Sequence, residues 1–188
     1  MMKNRTKLMF AGILEKTLKE IPMDKVRVVG LCAKCGAAPP TFYYYFRDKY
    51  ELVAWMLMMD LSEGIQEMIY GMPFEKDTVL IRKIEERKAF YQKALNEQSQ
   101  KAVLNYITSF NLDIVRKAGH RLTPEEQTRI RYYCHGLNGI LRDWLFGEGI
   151  RAEDLARVLR SGIPDFLEEA YVEQGNVNEI MQNRSNRA

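Results

Sequence analysis

Residues 36–40 read GAAPP and place the end of one helix directly before the start of another. Gly36 can take the left-handed conformation that ends a helix, and it follows a short apolar pattern at about residues 27–34. Pro39 and Pro40 come within two further residues, and proline is tolerated in the first turn of a helix, where amide protons have no intrahelical partner. The chain is therefore expected to form two short helices joined by a tight turn.

The side chains of the second of these helices fall on two different faces, because successive residues of an α-helix are rotated by 100° about its axis. Phe42 and Phe46, at i and i+4, share one side and are expected in a small core with the preceding helices. The opposite arc and its flank hold Pro40, Thr41, Tyr43, Tyr44 and Tyr45. Such a face suits the major groove, because hydroxyls donate to phosphates while proline, ring and methyl edges touch thymine methyls. The alternative is that the tyrosines pack against a second domain.

Positive charge is concentrated in the first third of the chain. Residues 1–55 carry 10 Lys/Arg and 5 Asp/Glu, a balance of +5, whereas the remaining residues carry 18 and 20, a balance of −2. Lys3, Arg5 and Lys7 lie at the positive end of the first helix dipole, which is unfavourable unless an anion is close. An anionic partner for the amino-terminal part is one interpretation, and an uneven scatter of surface cations is the other.

A capping box is predicted at the next helix, where Asp48 caps and Glu51 reciprocates. Lys49 then occupies the first helical position, and its charge opposes the helix dipole. A phosphate oxygen near Lys49 would reconcile this arrangement. Arg27 lies at the start of the second helix and is a further candidate for phosphate contact.

The cysteines and histidines do not form a recognisable active site. Cys32 and Cys35 lie on the apolar side of a short helix, so we interpret both as core residues, with a redox pair as the alternative. His120 and His135 are far apart and lack neighbours at metal-ligand spacing. Phosphate-loop, GxSxG and HExxH motifs do not occur. We therefore expect no enzyme, no cofactor and no metal.

No segment predicts a membrane or an export signal. The longest apolar run, LVAWMLMM at residues 52–59, is far shorter than the roughly 20 residues that span a bilayer. The basic start leads into an amphipathic pattern and not into an apolar signal sequence. A cytoplasmic protein without membrane contact is the expectation.

Helix signals continue to the end of the chain, which predicts an all-α fold. Glycine, proline and asparagine separate further helices near residues 48–71, 76–96, 99–118, 124–146 and 151–173. Thr123 to Glu126 form a second capping box, and Pro164 should bend or split the last helix. We divide the chain into a DNA-binding domain of three helices at residues 1–50, a helical domain at 51–175 and a polar, frayed tail at 176–188.

Residues 10–52 resemble the helix-turn-helix domain of the TetR/AcrR family of transcriptional regulators. The matching text is CGAA at 35–38, TFYYYF at 41–46 and KYEL at 49–52. The resemblance implies that Thr41, Pro40 and Tyr44 approach bases, and that Tyr43, Tyr45 and Lys49 hold phosphates. Three positions depart from the family pattern: Arg27 replaces a threonine, Ala38 replaces a serine cap, and Gly30 lies inside the second helix.

The carboxy-terminal part resembles a domain of a TetR subgroup that includes regulators of dihydroxyacetone kinase operons. The matching text is FYQKAL at 90–95, Tyr106-Ile107 and GLNGILRDW at 136–144. In this family the last two long helices form a four-helix dimer interface. That implies a seam of Leu137, Ile140, Leu141, Trp144, Leu155, Val158, Leu159 and Phe166.

A dimeric regulator would be controlled by an effector in the helical domain. The candidate contacts for a small molecule are Trp55, Met59, Phe90, Tyr106, Phe110 and Tyr133, with plain core packing as the alternative. The expected partners are double-stranded DNA, a second copy of the chain, and a small-molecule effector or protein co-regulator. We expect a repressor that binds a pseudo-palindromic operator. A thiol-sensing regulator that uses Cys32 and Cys35, and a helical ligand-binding protein without operator binding, remain alternatives.

Overall fold

The computed structural model describes residues 2–70, 81–147 and 149–183. Over these residues the fold is all-α, as predicted, with eleven α-helices and no strand. The helices are α1 (Met2–Glu20), α2 (Val28–Lys34), α3 (Pro39–Tyr45), α4 (Lys49–Tyr70), α5 (Arg82–Glu86), α6 (Lys88–Ala94), α7 (Glu97–Lys117), α8 (Pro124–Phe146), α9 (Ala152–Ser161), α10 (Asp165–Gln174) and α11 (Val177–Asn183), and a 3-10 turn lies at Met23–Lys25.

Helices α1 to α3 form a small unit, which we call the head. Its core is made by apolar side chains that recur at helical spacing on each helix, so each helix buries one stripe. The fully or almost fully buried residues are Phe10, Leu14, Leu18, Met23, Val26, Leu31, Cys32, Phe42 and Phe46. The two short helices α2 and α3 gain their stability from this shared core, because helices of seven residues are not stable alone in water.

Helix α4 joins the head to the rest of the molecule. It has 22 residues and is therefore about 33 Å long. Its buried side chains run without a polar break from Leu52 to Met58, because the helix is covered by other helices on several sides. We call helices α5 to α10 the body, and among the described helices the most extensive packing is between α4 and α7 of the body.

Two predicted helix boundaries in the body are confirmed in detail. Helix α8 begins with the predicted capping box, in which Thr123 Oγ1 accepts from Glu126 N and the Glu126 carboxylate accepts from Thr123 N. Pro164 separates α9 from α10, because its ring cannot continue the hydrogen-bond ladder of the helix. Within the described residues, no helix has both the length and the hydropathy that crossing a bilayer demands.

The helix predicted at 76–96 is broken in the structure. Arg87 leaves the helical conformation, with φ −108° and ψ 17°, so α5 ends before it and α6 begins after it. The guanidinium of Arg87 is bonded to side chains of α1 and α4, an interaction between distant segments that no local pattern signals. The proposed start at residue 76 and the break at residues 71–73 lie outside the described residues.

The chain end differs from the expected polar tail. Helix α11 spans Val177–Asn183, and Val177 and Met181 are completely buried. These residues lie four positions apart and so share one face of the helix. With Ile180 the segment has three apolar residues among polar ones, which was too short a pattern to predict a helix that is stabilised by packing against α4 and α1.

Candidate nucleic-acid interface

Helix α3 is oriented by its two phenylalanines. Phe42 and Phe46 are buried, as expected, and their ring centroids lie 5.6 Å apart. The Phe42 ring also meets Phe10 of α1 edge to face at 5.1 Å. Because these rings attach one side of α3 to the head core, the opposite side must face solvent.

The outward face of α3 carries the residues that the sequence analysis selected for DNA. Pro40, Thr41 and Tyr43 are exposed, and Tyr43 keeps 52% of its surface accessible. Tyr44 and Tyr45 are half-buried, and their rings pack edge to face with centroids 4.8 Å apart. The head therefore presents a short helix with a hydroxyl-rich, nearly uncharged surface, on which Tyr43 is the most accessible ring.

The turn before α3 has the geometry that GAAPP predicted. Gly36 takes a positive φ of 64°, and Ala37 N donates to Cys32 O at 3.0 Å to close the end of α2. Ala38 occupies the N-cap of α3 and has no side-chain cap. The two prolines that follow lack amide protons, so the missing serine cap leaves fewer unsatisfied donors than it would in another helix.

Helix α2 adds an exposed apolar residue that the sequence analysis did not select. Val29 is 65% exposed, and it lies off the buried stripe that contains Leu31 and Cys32. Arg27 is exposed at the N-cap, without a side-chain cap bond. The signal for Val29 was present in the sequence, because its position one residue off the apolar stripe places it on the outward side of α2.

Lys49 has three partners inside the head. Its Nζ donates to Met23 O and Val26 O, both at 2.8 Å, and to Asp24 O at 3.3 Å. These carbonyls belong to the 3-10 turn between α1 and α2 and to the residue that follows it. Burial lowers the pKa of Lys49. The negative charge of Asp24 opposes this shift, and the positive charge of Arg27 adds to it.

This geometry argues against the phosphate contact expected of Lys49. An ammonium group can donate three hydrogen bonds, and three backbone carbonyls lie within 3.3 Å of Lys49 Nζ. A phosphate could bind only if one of these bonds were given up. Lys49 therefore has a structural role here, as a cross-link between the start of α4 and the turn before α2, and the local helix-dipole argument could not reveal carbonyl partners 23 to 26 residues away.

The start of α4 is capped by Asp48, as predicted. Asp48 Oδ1 accepts from Tyr50 N at 2.9 Å and from Glu51 N at 2.8 Å. The Glu51 carboxylate reaches back to Arg47 N, one residue earlier than the predicted partner. The cap fixes the direction in which α4 leaves the head.

The geometry of the two clustered thiols favours packing over redox chemistry. Cys32 is 1% exposed, and its pKa is raised by burial and by the neighbouring Cys35. Cys35 is half-buried, and its Sγ donates to Leu31 O at 3.1 Å. A reactive thiol needs a lowered pKa and access to solvent, and Cys32 has neither.

The six candidate effector residues have different surroundings. Trp55, Phe90 and Phe110 are buried, while Met59, Tyr106 and Tyr133 are half-buried. The Trp55 ring contacts Phe46 of the head at 5.7 Å, whereas the Phe90 ring lies 4.9 Å from the Arg87 guanidinium. The described contacts thus place Trp55 at the junction with the head and Phe90 beside a charged cluster.

Most of the predicted dimer residues pack inside a single chain. Leu137, Leu141, Trp144, Leu155 and Leu159 are buried, Ile140 and Phe166 are half-buried, and Val158 is 51% exposed. An apolar stripe on a helix predicts burial but not whether its own chain or a second chain covers it. The large exposed side chains of α8 lie on its other side, where Tyr132 is 82% exposed and Phe146 is 47% exposed.

A charged cluster connects the head to the body around Arg87. The Arg87 guanidinium donates to Asp60 Oδ2 of α4 at 2.7 Å and to Glu15 Oε2 of α1 at 3.1 Å. Tyr91 of α6 is fully buried and donates its hydroxyl proton to the same Asp60 oxygen. Burial raises the pKa of Asp60, while the charge of Arg87 and the Tyr91 hydrogen bond oppose that rise.

A second contact between body and head lies at the other end of α6. Asn96, which caps α7 by accepting from Ser99 N, donates its Nδ2 proton to Asp24 Oδ1 at 2.7 Å. Asp24 belongs to the same 3-10 turn that Lys49 cross-links. Helix α6 is therefore flanked at both ends by residues that bond to the head.

Residues 15–56 match the family model described as "Bacterial regulatory proteins, tetR family". The matched segment begins within α1 and ends in the second turn of α4, so it contains α2, the Gly36 turn and α3. No curated protein matches the chain. The family match, on the segment that presents the outward face of α3, supports a DNA-binding regulator of transcription.

Proposed function

We propose that the chain is a homodimeric transcriptional regulator, acting in the cytoplasm as a repressor, that binds a pseudo-palindromic operator and is controlled by an effector in the body. The observation that carries the proposal is the division of α3 into a buried phenylalanine side and an exposed side with Pro40, Thr41 and Tyr43. This division occurs within the segment that matches the tetR family. A buried and an exposed side are what a recognition helix needs, because one side must hold it while the other enters the groove.

The contacts divide between bases and phosphates. We assign Pro40, Thr41 and Tyr44 to base edges, where methyl and ring edges meet thymine methyls and the threonine hydroxyl exchanges hydrogen bonds. We assign Arg27, Tyr43 and Tyr45 to phosphates, which fix the position of the helix without reading sequence. Exposed Val29 is an additional apolar contact at the start of α2. Lys49 does not contact DNA in this assignment. It stabilises the head by its hydrogen bonds to the 3-10 turn before α2.

Dimerisation is proposed through the outward side of α8. Tyr132, Gly136, Gly139 and Phe146 follow one another at spacings of four, three and seven residues, and so lie along one side of the helix. A Cβ added to either glycine would meet nothing within 4 Å beyond the neighbouring backbone of its own helix, so space is open beside both. A second copy that packs its own α8 there would cover the exposed Tyr132 ring and bring two heads onto one operator, with half-sites about 34 Å apart or slightly more.

The dimer is tested by sedimentation of the parent and of the Tyr132→Arg variant. We expect the parent to sediment as a dimer and the variant to shift towards a monomer, because two arginines would face each other near the two-fold axis. Leu8→Arg is a matched control, since Leu8 is also an exposed large apolar residue, at 53%, but lies on α1 of the head. A Tyr132→Arg variant that remains as dimeric as the control would refute this interface.

Control of the head is proposed to pass through α6. Lys88 Nζ donates to Trp144 O at 3.0 Å and Gln92 Nε2 donates to Leu145 O at 2.7 Å, so α6 is attached to the last turn of α8. Arg87 directly precedes α6 and Asn96 follows it, and both residues bond to the head. An effector that shifts α6 against α8 would therefore move contacts on α1 and on the 3-10 turn together.

Such a movement would change operator affinity through geometry. Both heads must meet their half-sites at once, so a change in their separation or tilt loses the advantage of bivalent binding. The effector is a small molecule or a protein co-regulator. The subgroup of dihydroxyacetone kinase operon regulators is the proposed relationship, supported by the motifs at 90–95 and 136–144.

The test of the whole proposal is selection of bound duplexes from a random DNA pool by the purified protein at moderate salt. We expect enrichment of a palindrome whose half-sites are separated by about one turn or slightly more. Binding should weaken steeply with salt, because released counterions drive the phosphate contacts. If no sequence is enriched and no duplex binds in a salt-dependent way, the chain is not an operator-binding protein and the ligand-binding alternative gains support.

A further inference from the structure

Helix α11 covers the junction between the head and α4. Gly175, with a φ of 71°, ends α10 and lets the chain turn before α11 begins. Val177 and Met181 are 0% exposed, although they lie near the end of the chain. The helix packs against α4 and also against α1 of the head.

Two hydrogen bonds attach α11 to α4. Gln66 Oε1 accepts from Val177 N at 2.9 Å, and Trp55 Nε1 donates to Met181 O at 3.4 Å. The first bond satisfies an amide in the first turn of α11, and the second satisfies a carbonyl in its last turn. Within the described residues 177–183 neither group can have an i to i+4 partner, and α4 supplies both of these bonds.

Trp55 connects α11 to the recognition helix. Its ring is 1% exposed and lies 5.7 Å from the ring of Phe46, which directly follows α3 and packs against Phe42. The ammonium of Lys7 lies 5.5 Å from the centre of the same ring, and Lys7 is itself 1% exposed. Lys7 is therefore not accessible to the anionic partner that its place at the start of the first helix suggested. A continuous row of contacts runs from Met181 through Trp55 and Phe46 to α3.

We propose that residues 177–183 form a C-terminal latch that fixes the orientation of the head on α4, and that release of the latch loosens the recognition helix. A helix of seven residues is not stable alone, so the latch is formed only while it is packed against α1 and α4. Segments with few buried side chains open at lower free energy than the core. The latch has only two fully enclosed apolar side chains, Val177 and Met181, so it is suited to opening without unfolding of the body.

Release of the latch has a defined consequence for the head. Water would reach the Trp55 and Lys7 pair. Trp55 would also lose its hydrogen bond to Met181, so its contact with Phe46 would be held less firmly. The head would then sample several orientations on α4, and fewer dimers would present both recognition helices at the correct separation. This consequence for DNA rests on the proposed function, whereas the opening itself does not.

The experiment uses the full chain with Met181→Glu, which places a charge at a completely buried position of the latch. Glu179→Lys is the matched control, because Glu179 is exposed on the same helix. Hydrogen–deuterium exchange is followed by mass spectrometry, and operator affinity is measured at constant salt. We expect faster exchange in α1, α3 and α11 of Met181→Glu with parent-like exchange in α7 and α8, and at least a tenfold loss of affinity.

Unchanged exchange in α1 and α3 of Met181→Glu would overturn the latch. If exchange rises in α7 and α8 as well, the variant has unfolded globally, and the milder Gln66→Ala variant decides the question. That variant removes only the acceptor for Val177 N, so faster exchange confined to α11 and α1 supports the latch and no local change refutes it. If the parent itself selects no duplex, the proposed function fails, and the exchange measurement still decides whether the latch exists.

Discussion

Replacement of Lys49 by methionine separates a structural role from a DNA-binding role. Methionine keeps an unbranched side chain of similar length and removes the ammonium group. In the parent, that group donates to Met23 O and Val26 O at 2.8 Å and to Asp24 O at 3.3 Å. The substitution therefore leaves three backbone carbonyls of the 3-10 turn and its end without their donor.

The expected loss of stability follows from these bonds. A hydrogen bond contributes about 1 kcal/mol net, and somewhat more when one partner is charged. Lys49 is only half-buried, so water replaces part of what is lost, and the 3.3 Å bond is the weakest of the three. Two bonds of ordinary strength correspond to a decrease of about 2 kcal/mol in the free energy of unfolding. That decrease lowers the ratio of folded to unfolded protein by a factor of about 30.

The assay is urea unfolding followed by circular dichroism, combined with operator binding at several salt concentrations. Arg47→Met is the control, because the Arg47 side chain is 66% exposed and its ion pair with Asp48 is long, at 3.8 Å. We expect a lower unfolding midpoint for Lys49→Met, a change below about 0.5 kcal/mol for the control, and the same salt slope of binding for Lys49→Met and the parent. A parent-like midpoint together with a salt slope reduced by about one would refute the reasoning and establish Lys49 as a phosphate contact.

Three further predictions concern the cluster around Arg87, base reading and the thiols. Arg87→Met removes the cation that opposes the rise in the pKa of Asp60. The folded carboxyl of the variant will then keep a proton above about pH 4, where the unfolded carboxyl releases it. The free energy of unfolding of the variant, measured by urea unfolding at each pH, should therefore fall relative to that of the parent as pH rises from about 4 to 7. Thr41→Ala should change the base preferred at one operator position while leaving the salt slope intact, which repeated duplex selection with the variant will measure. Hydrogen peroxide should leave duplex binding unchanged, because Cys32 is buried with a raised pKa; a loss of binding that disappears in a double Cys32→Ser, Cys35→Ser variant would instead support thiol sensing.

Local signals in the sequence were sufficient to predict the turn before α3 and the buried side of α3. Gly36 and the two prolines that follow marked the turn and the start of α3, and the spacing of Phe42 and Phe46 identified its buried side. These features depend on backbone conformations and on the helical period, which are set within a few residues. For the same reason the cap of α8 at Thr123 was predictable in detail.

Contacts between distant segments were not predictable in this way. The stripe that contains Leu137 and Trp144 indicated burial correctly but was assigned to a second chain, although the same chain covers it. The phosphate contact expected of Lys49 and the unbroken helix expected around Arg87 did not take account of hydrogen-bond partners that lie 23 or more residues away. Helix α11 was missed because only three apolar residues, Val177, Ile180 and Met181, mark it within a polar stretch.

The sequence by itself therefore determined an all-α chain with a helix-turn-helix head and an outward face of proline, threonine and tyrosine on α3, because helical period and turn chemistry are local properties. Only the tertiary structure decided which apolar stripes are internal, that Lys49 cross-links the head, and that α6 and α11 connect the body to it. Those outcomes depend on which segments meet in space. The physical reason is that burial and hydrogen bonding stabilise a contact with any compatible partner, whether that partner is near or far along the chain.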